Sequence, residues 1–185
     1  MIYKSYIFPL FCLALFPITQ SKLIPNYYQK TCPKFEDIIK QTVTDKQKTT
    51  PSTAGAALRL FYHDCMVGGC DASVLVSSNS LNKAERDADI NLSLSGDGFD
   101  VVTRAKNMLE LECPGVVSCA DILAAAARDL VVIVGGPFYE LDLGRRDSLD
   151  SKSTDAENKY PSPTMTMSQV KKQIYYIVQY FFLFC

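Results

Sequence analysis

The chain has 185 residues, of which 48% are hydrophobic, and its formal net charge at pH 7 is −1. This length suits one domain with its own core, and the hydrophobic content is ordinary for a globular protein. The near-zero charge excludes the strongly basic surface that nucleic-acid binding requires. We therefore expect no nucleic-acid partner, and we expect no oligomer.

The first residues predict a secretory signal peptide over 1–21. A lysine precedes an apolar run from Tyr6 to Phe16, small polar residues follow, and cleavage is expected near Ser21. A short buried helix is the alternative, but Pro9 and Pro17 disfavour it.

Cysteine usage predicts disulfides. Removal of the signal peptide also removes Cys12, and the remaining thiols enter an oxidising compartment. They are Cys32, Cys65, Cys70, Cys113, Cys119 and Cys185. Cys65 and Cys70 enclose a short loop that closes easily, whereas Cys32 needs a distant partner such as Cys113 or Cys119. The sequence alone leaves the pairing open.

Helical periodicity dominates the chain, and strand-like alternation is nearly absent. Apolar spacing and end signals predict helices over 33–46, 52–64, 99–112 and 119–134. Pro51 and Ser52 mark the start of the second helix. The fourth helix is alanine-rich and apolar almost all round, which predicts a central position, and Ser118 is expected to cap it. The predicted class is all-α.

A reactive cluster lies at the end of the second predicted helix. Arg59 and His63 are spaced i, i+4, so a helix projects both from one face. An imidazole beside a fixed positive charge can act on one substrate atom, although a lone histidine is more often structural. The stretch 71–98 is rich in Ser, Asn, Asp and Gly and predicts a long ordered loop that carries function or a bound ion.

The run from Arg59 to Ser73 resembles the distal haem segment of secreted plant (class III) peroxidases. Other matching segments occur in family order across 22–164. They are Asn26-Tyr27-Tyr28, Thr31-Cys32-Pro33, Glu85, Asn91-Leu92-Ser93, Val117-Ser118-Cys119-Ala120-Asp121, Gly135-Gly136-Pro137 and Leu143-Gly144-Arg145-Arg146-Asp147-Ser148. Together they are highly specific. The resemblance implies the N-terminal, distal portion of an all-α haem peroxidase fold.

The resemblance implies three catalytic residues and an activity. His63 corresponds to the distal acid–base histidine, and Arg59 to the arginine that stabilises charge as the O–O bond of hydrogen peroxide breaks. Asn91 corresponds to the residue that hydrogen-bonds the other ring nitrogen of the histidine. Pro161 corresponds to a proline at the entrance for aromatic donors. The implied enzyme oxidises small phenolic donors, removes hydrogen peroxide in the response to oxidative stress, and is secreted to the extracellular space or cell wall, with the vacuole as an alternative.

The resemblance also implies a calcium ion and two disulfides. Hard oxygen ligands from one tight loop suit calcium better than a transition metal. The implied ligands are the side chains of Asp64, Asp71 and Ser73, the carbonyls of Val67 and Gly69, and Glu85 through water. The implied disulfides are Cys32–Cys113 and Cys65–Cys70. A zinc site built from His63, Cys65 and Cys70 is an alternative that needs free thiols.

Several features depart from the family pattern. Tyr62 stands where the family usually has phenylalanine, and Cys119 lacks its usual partner. The family holds the iron of haem b through a second histidine, whereas His63 is the only histidine of this chain. The alternative function is therefore an inactive, secreted, calcium-binding peroxidase fragment.

The end of the chain resembles nothing in the family. We interpret 165–185 as a non-family tail produced by truncation or intron read-through. Its apolar part, 174–185, is too short to span a bilayer, so no membrane anchor is expected. Two further expectations concern the family segments. Arg145, Arg146 and Asp147 are expected to form structural ion pairs, and the sequon at Asn91 to remain unglycosylated.

Overall fold

The computed structural model describes residues 23–157, 159–161 and 164–184, with side chains up to Tyr175. The predicted signal peptide therefore lies outside the described residues. The α-helices are α1 (Phe35–Thr49), α2 (Thr53–Val67), α3 (Gly96–Glu112), α4 (Cys119–Ile133), the single turn α5 (Ser153–Ala156) and α6 (Met167–Phe184). Within the described ranges, β-type pairing occurs only as the isolated bridges Ile24–Leu143 and Asn79–Asn82. The all-α prediction is confirmed.

The loop between α2 and α3 is more regular than predicted. Three 3-10 turns, Ser73–Leu75, Glu85–Asp87 and Asp89–Asn91, lie within it. Helix α3 begins at Gly96 rather than at residue 99, because the Ser95 hydroxyl accepts a hydrogen bond from the Asp97 backbone N–H at 3.4 Å.

Helix α4 lies at the centre of the helical core, as its apolar pattern predicted. Every residue from Ala120 to Arg128 is buried, so all faces of this stretch contact protein, and α4 packs against α1, α2 and α3. The Ser118 hydroxyl caps α4 by accepting from the Asp121 N–H at 3.2 Å. The Asp147 carboxylate accepts from the N–H groups of Cys119 and Ala120, each at 2.9 Å. Asp147 therefore caps a helix and does not form the predicted ion pair.

A buried carboxylate joins α4 to the segments on either side of it. Asp121, which is fully buried, accepts from the Tyr28 hydroxyl at 2.7 Å, the Gly144 N–H at 2.7 Å and the Arg145 guanidinium at 3.0 Å. Next to this network, the Ile24–Leu143 bridge pairs the N-terminal segment with the connector after α4. Arg145 thus has the structural role that the sequence predicted.

Two further features fix the helices that carry the reactive cluster. The Cys32–Cys113 disulfide joins the segment before α1 to the end of α3, and Cys65–Cys70 closes the turn after α2. Both disulfides agree with those that the resemblance implied. Gly98 lets α3 approach α2 closely, because a Cβ atom there would lie 2.9 Å from the Ala56 carbonyl oxygen.

Candidate functional site

His63 lies in the last turns of α2 and is 6% exposed. Its Nδ1 atom lies 2.7 Å from Oδ1 of Asn91, and the Asn91 amide group donates through Nδ2 to the Glu85 carbonyl at 2.8 Å. The second bond orients the amide so that its oxygen faces the imidazole. Because this oxygen can only accept, Nδ1 carries the proton, and Nε2 of the neutral ring presents a lone pair.

Burial is the main influence on the His63 imidazole. It lowers the pKa of His63 below the usual value, the charge of Arg59 adds to that effect, and the hydrogen bond with Asn91 opposes it. The ring is therefore neutral at pH 7. A neutral imidazole with a free Nε2 atom can accept a proton.

Arg59 lies one helical turn before His63 and is held by the same loop segment. Its Nη1 donates to the Ser93 carbonyl at 3.0 Å, and Nη2 donates to the Ser93 hydroxyl at 2.8 Å. The segment from Asn91 to Ser93 thus holds both reactive side chains of α2. Glycosylation of Asn91 is disfavoured, in line with the expectation from the sequence, because this residue is only 2% exposed and both amide atoms are bonded.

Two tyrosines surround the imidazole. Tyr160 stacks on the His63 ring with the centroids 4.3 Å apart and the planes 29° apart, and its hydroxyl donates to the His63 carbonyl at 3.2 Å. Tyr62 meets the same imidazole edge-on, with centroids 5.8 Å apart. Sequence reasoning named the neighbouring Pro161 and missed Tyr160. No local signal identifies Tyr160, because the contact joins residues 97 positions apart.

An acidic cluster, which we define as Asp64, Asp71 and Glu85, lies beside this site. Asp64 is fully buried, and its carboxylate accepts from the N–H groups of Ala72 at 3.0 Å and Val74 at 3.4 Å. Asp71 accepts from the Ser73 N–H at 3.2 Å, and Glu85 accepts from the Ser73 hydroxyl at 3.0 Å. The loop thus brings together the side chains that the resemblance named as calcium ligands.

The carboxyl groups of the acidic cluster repel one another. Burial, with a smaller contribution from the charge of Asp71, raises the pKa of both Asp64 and Glu85 to about 7. Among the described residues, none of the three carboxylates forms a salt bridge. In the same ranges, no three His, Cys, Asp or Glu side chains converge in a metal-binding geometry. Any cation here would therefore need further oxygen ligands, such as backbone carbonyls and hydroxyls, in addition to the carboxylates.

Backbone carbonyls and a disulfide lie near the acidic cluster. The Gly69 carbonyl accepts from the Asp71 N–H at 2.9 Å, and Val67 is the last residue of α2. The zinc alternative is wrong for this structure, because Cys65 and Cys70 form a disulfide and are no longer thiolates. Cys119 forms no disulfide within the described part of the chain.

The family model described as "Peroxidase" matches residues 39–176, which is most of the chain. The chain belongs to the peroxidase family. Two peroxidases of Arabidopsis thaliana are similar to it. "Peroxidase 63" is 61% identical over 154 residues, covering 83% of this chain and 47% of the relative. "Peroxidase 31" is 57% identical over 165 residues, covering 89% and 52%. The resemblance to plant peroxidases is confirmed.

The chain spans about half the length of the peroxidases that it matches. The peroxidase match continues past residue 164 to residue 176, so it includes the first part of the segment interpreted as a non-family tail. That boundary stays a prediction. Within the described residues, no helix combines the length and apolar character needed to cross a bilayer.

Proposed function

We propose that this chain forms the distal side of a haem peroxidase site, in which His63 is the acid–base group and Arg59 supplies a fixed positive charge. One observation carries the proposal: the imidazole of His63 bonds Asn91 through Nδ1 and leaves Nε2 free, one helical turn from a guanidinium. Family membership supports the assignment.

The proposed proton transfers use His63, Asn91 and Arg59. Haem, when bound, supplies the iron that holds peroxide and takes up its oxidising equivalents. Nε2 of His63 accepts the peroxide proton and returns it to the departing oxygen as the O–O bond breaks. The Asn91 oxygen stabilises the transient imidazolium by accepting its Nδ1–H, and Arg59 stabilises the negative charge on the departing oxygen.

The residues present fit one face of a haem. In this proposal the only imidazole of the chain is the acid–base group on the peroxide side, so it does not also serve as the iron ligand. We expect the iron-binding imidazole to be absent from these 185 residues. The oxidant of the complete site is hydrogen peroxide, and the reductants are small phenols that enter near Pro161.

The proposed physiological role is removal of hydrogen peroxide during oxidative stress. The proposed location is the extracellular space or cell wall. The two disulfides support a location outside the cytosol, because such bonds persist in oxidising compartments.

We propose that a calcium ion binds the acidic cluster and supplies the positive charge that its carboxylates lack. Its carboxylates are buried or partly buried, repel one another and have no positive partner among the described residues. Asp64, Asp71 and Ser73 would bind the ion directly with the carbonyls of Val67 and Gly69, and Glu85 would act through water. The ion would fix the end of α2 and therefore the position of His63.

Reconstitution with haemin tests the catalytic proposal. The full chain is mixed with haemin and with free imidazole to replace the expected missing ligand, and the Soret band is followed on addition of hydrogen peroxide. We expect a band shift, and we expect the His63→Leu variant to bind haemin but to react about 10²–10⁴-fold more slowly. Leu58→Ala, an exposed change on the same helix, serves as the control.

Two outcomes would count against the catalytic proposal. Equal peroxide rates in the wild type and His63→Leu would reject the role of His63. Failure to take up haemin even with imidazole, while calcium still binds, would instead support the calcium-binding fragment.

A further inference from the structure

The hydrogen bond from Asn91 restrains His63 in only one direction. The bond joins Nδ1 to the amide oxygen at 2.7 Å, and an imidazole N–H points along the plane of its ring. A single bond of this kind fixes the position of Nδ1 but allows the ring to roll about the line of the bond. Rolling would swing Nε2 away from any fixed substrate atom, so a second restraint is needed.

Tyr160 provides a restraint from a different direction. Its ring lies over one face of the imidazole at 4.3 Å and nearly parallel to it, which opposes rolling. Its hydroxyl is bonded to the backbone carbonyl of His63 itself, so the stacked ring is attached to the residue that it covers. Burial raises the pKa of Tyr160 to about 12, and the hydroxyl therefore remains a donor at neutral pH.

We propose that Tyr160 is a positioning residue that holds the tilt of the His63 imidazole and closes one of its faces. Asn91 fixes the ring within its plane, and Tyr160 fixes it out of that plane. Because Nδ1 is bonded to Asn91, Nε2 is the ring atom left to react, and Tyr62 meets the ring edge-on. The proposal rests on the proposed role of His63 as the acid–base group.

The single histidine makes a direct test possible without haem. The imidazole C–H protons give an NMR signal that no other residue can produce, and diethyl pyrocarbonate modification of His63 is followed by the absorbance of the carbethoxylated imidazole. Both measurements use the full chain at one fixed pH. The variants are Tyr160→Leu, Tyr160→Phe and, as a tyrosine outside the site, Tyr139→Leu.

The stacked ring should shield the imidazole protons and slow the modification of His63. We expect Tyr160→Leu to move the proton signals downfield and to increase the modification rate several-fold. Tyr160→Phe retains the ring and should stay close to the wild type in both measurements, whereas a general structural effect would appear in both Tyr160 variants. Tyr139→Leu should match the wild type.

Wild-type signals and wild-type reaction rate in a folded Tyr160→Leu variant would overturn the proposal. If that variant does not fold, as judged by circular dichroism, Tyr160→Met fills similar volume without an aromatic ring and is subject to the same expectation. The proposed function fails separately, because it depends on the peroxide reaction of the haemin-loaded chain and not on these two measurements.

Discussion

Two fully buried carboxylates in the same helical core are held in opposite ways. Asp121 on α4 accepts from a tyrosine hydroxyl, a backbone N–H and the guanidinium of Arg145. Asp64 on α2 accepts only from two backbone N–H groups and faces the negative charges of Asp71 and Glu85. Both carboxylates have 0% exposure, so the contrast does not come from burial.

The two carboxylates differ in whether the described part of the chain supplies a positive charge to compensate for their burial. Burial of a carboxylate is costly unless hydrogen bonds and an opposite charge compensate for it. The chain supplies both to Asp121, whose partners lie in the segments before α1 and after α4. It supplies no cation to Asp64 within the described residues, and Asp64 immediately follows His63. The region that we propose to bind an ion therefore adjoins the proposed reaction site.

Removal of the Asp121 carboxylate is the most damaging change that we predict. Asp121→Ala leaves Arg145 without its buried partner and leaves Tyr28 and Gly144 without an acceptor. The free energy of unfolding should fall by about 3–5 kcal/mol, with or without calcium. Denaturant unfolding measures this loss. Asp89→Ala, at an exposed carboxylate, is the control, and an equally small effect of both changes would show that the comparison is wrong.

Calcium should have the next largest effect, and only through the acidic cluster. At a concentration about 100 times the dissociation constant, binding to the folded state adds about 2.7 kcal/mol to the free energy of unfolding. Thermal unfolding in chelator and in calcium measures the gain. Asp71→Asn should remove most of it, whereas Asp89→Asn should retain it. Unchanged melting in calcium would reject the proposed ion.

The pH dependence of stability should differ between the calcium-free and calcium-bound states. Without calcium, the pKa values of Asp64 and Glu85 in the folded state are about 7, well above their ordinary values, so folding takes up protons. Stability in chelator should therefore fall as pH rises from about 4 through 7. With calcium the carboxylates must be ionised, and stability should fall as pH decreases. Melting temperatures between pH 5 and 8 measure both slopes, and Glu85→Gln should flatten the slope in chelator.

The smallest expected effects come from one hydrogen bond in each region. Tyr28→Phe removes a donor to Asp121, and Ser151→Ala removes the hydroxyl that accepts from the Glu85 N–H at 3.0 Å. Each should cost about 1 kcal/mol. The Tyr28→Phe loss should be independent of calcium, whereas the Ser151→Ala loss should be larger in chelator, where no ion holds the loop. Equal calcium dependence would contradict the contrast between the regions.

The helices could be predicted because local patterns determine most of their burial. The apolar run after Ser118 has no polar face, and α4 is central for that reason. The errors arose where a distant group interferes with a local signal. Ser52 lies directly before α2 as predicted, but its hydroxyl donates to Asp97, 45 residues away, and does not cap the helix.

The candidate site was only partly predictable. The spacing of Arg59 and His63 placed both side chains on one helical face, whereas the partnership with Asn91 came from the family resemblance. Tyr160 and Ser151 could not be found in this way, because each reaches the site from the connector after α4. Their positions depend on how that connector folds back over the loop, and a single sequence contains no periodic pattern for it.

The Cys32–Cys113 bond has a consequence for proteolysis. It encloses α1, α2, the acidic cluster and the whole of α3 in one covalent loop, with a sequence separation of 81 residues. A single protease cut inside this loop, for example after the exposed Lys83, separates the backbone but not the molecule. The nicked chain would run as one band on a gel without reductant and as two bands with it. His63 and Asn91, on opposite sides of that cut, would remain in one covalent molecule.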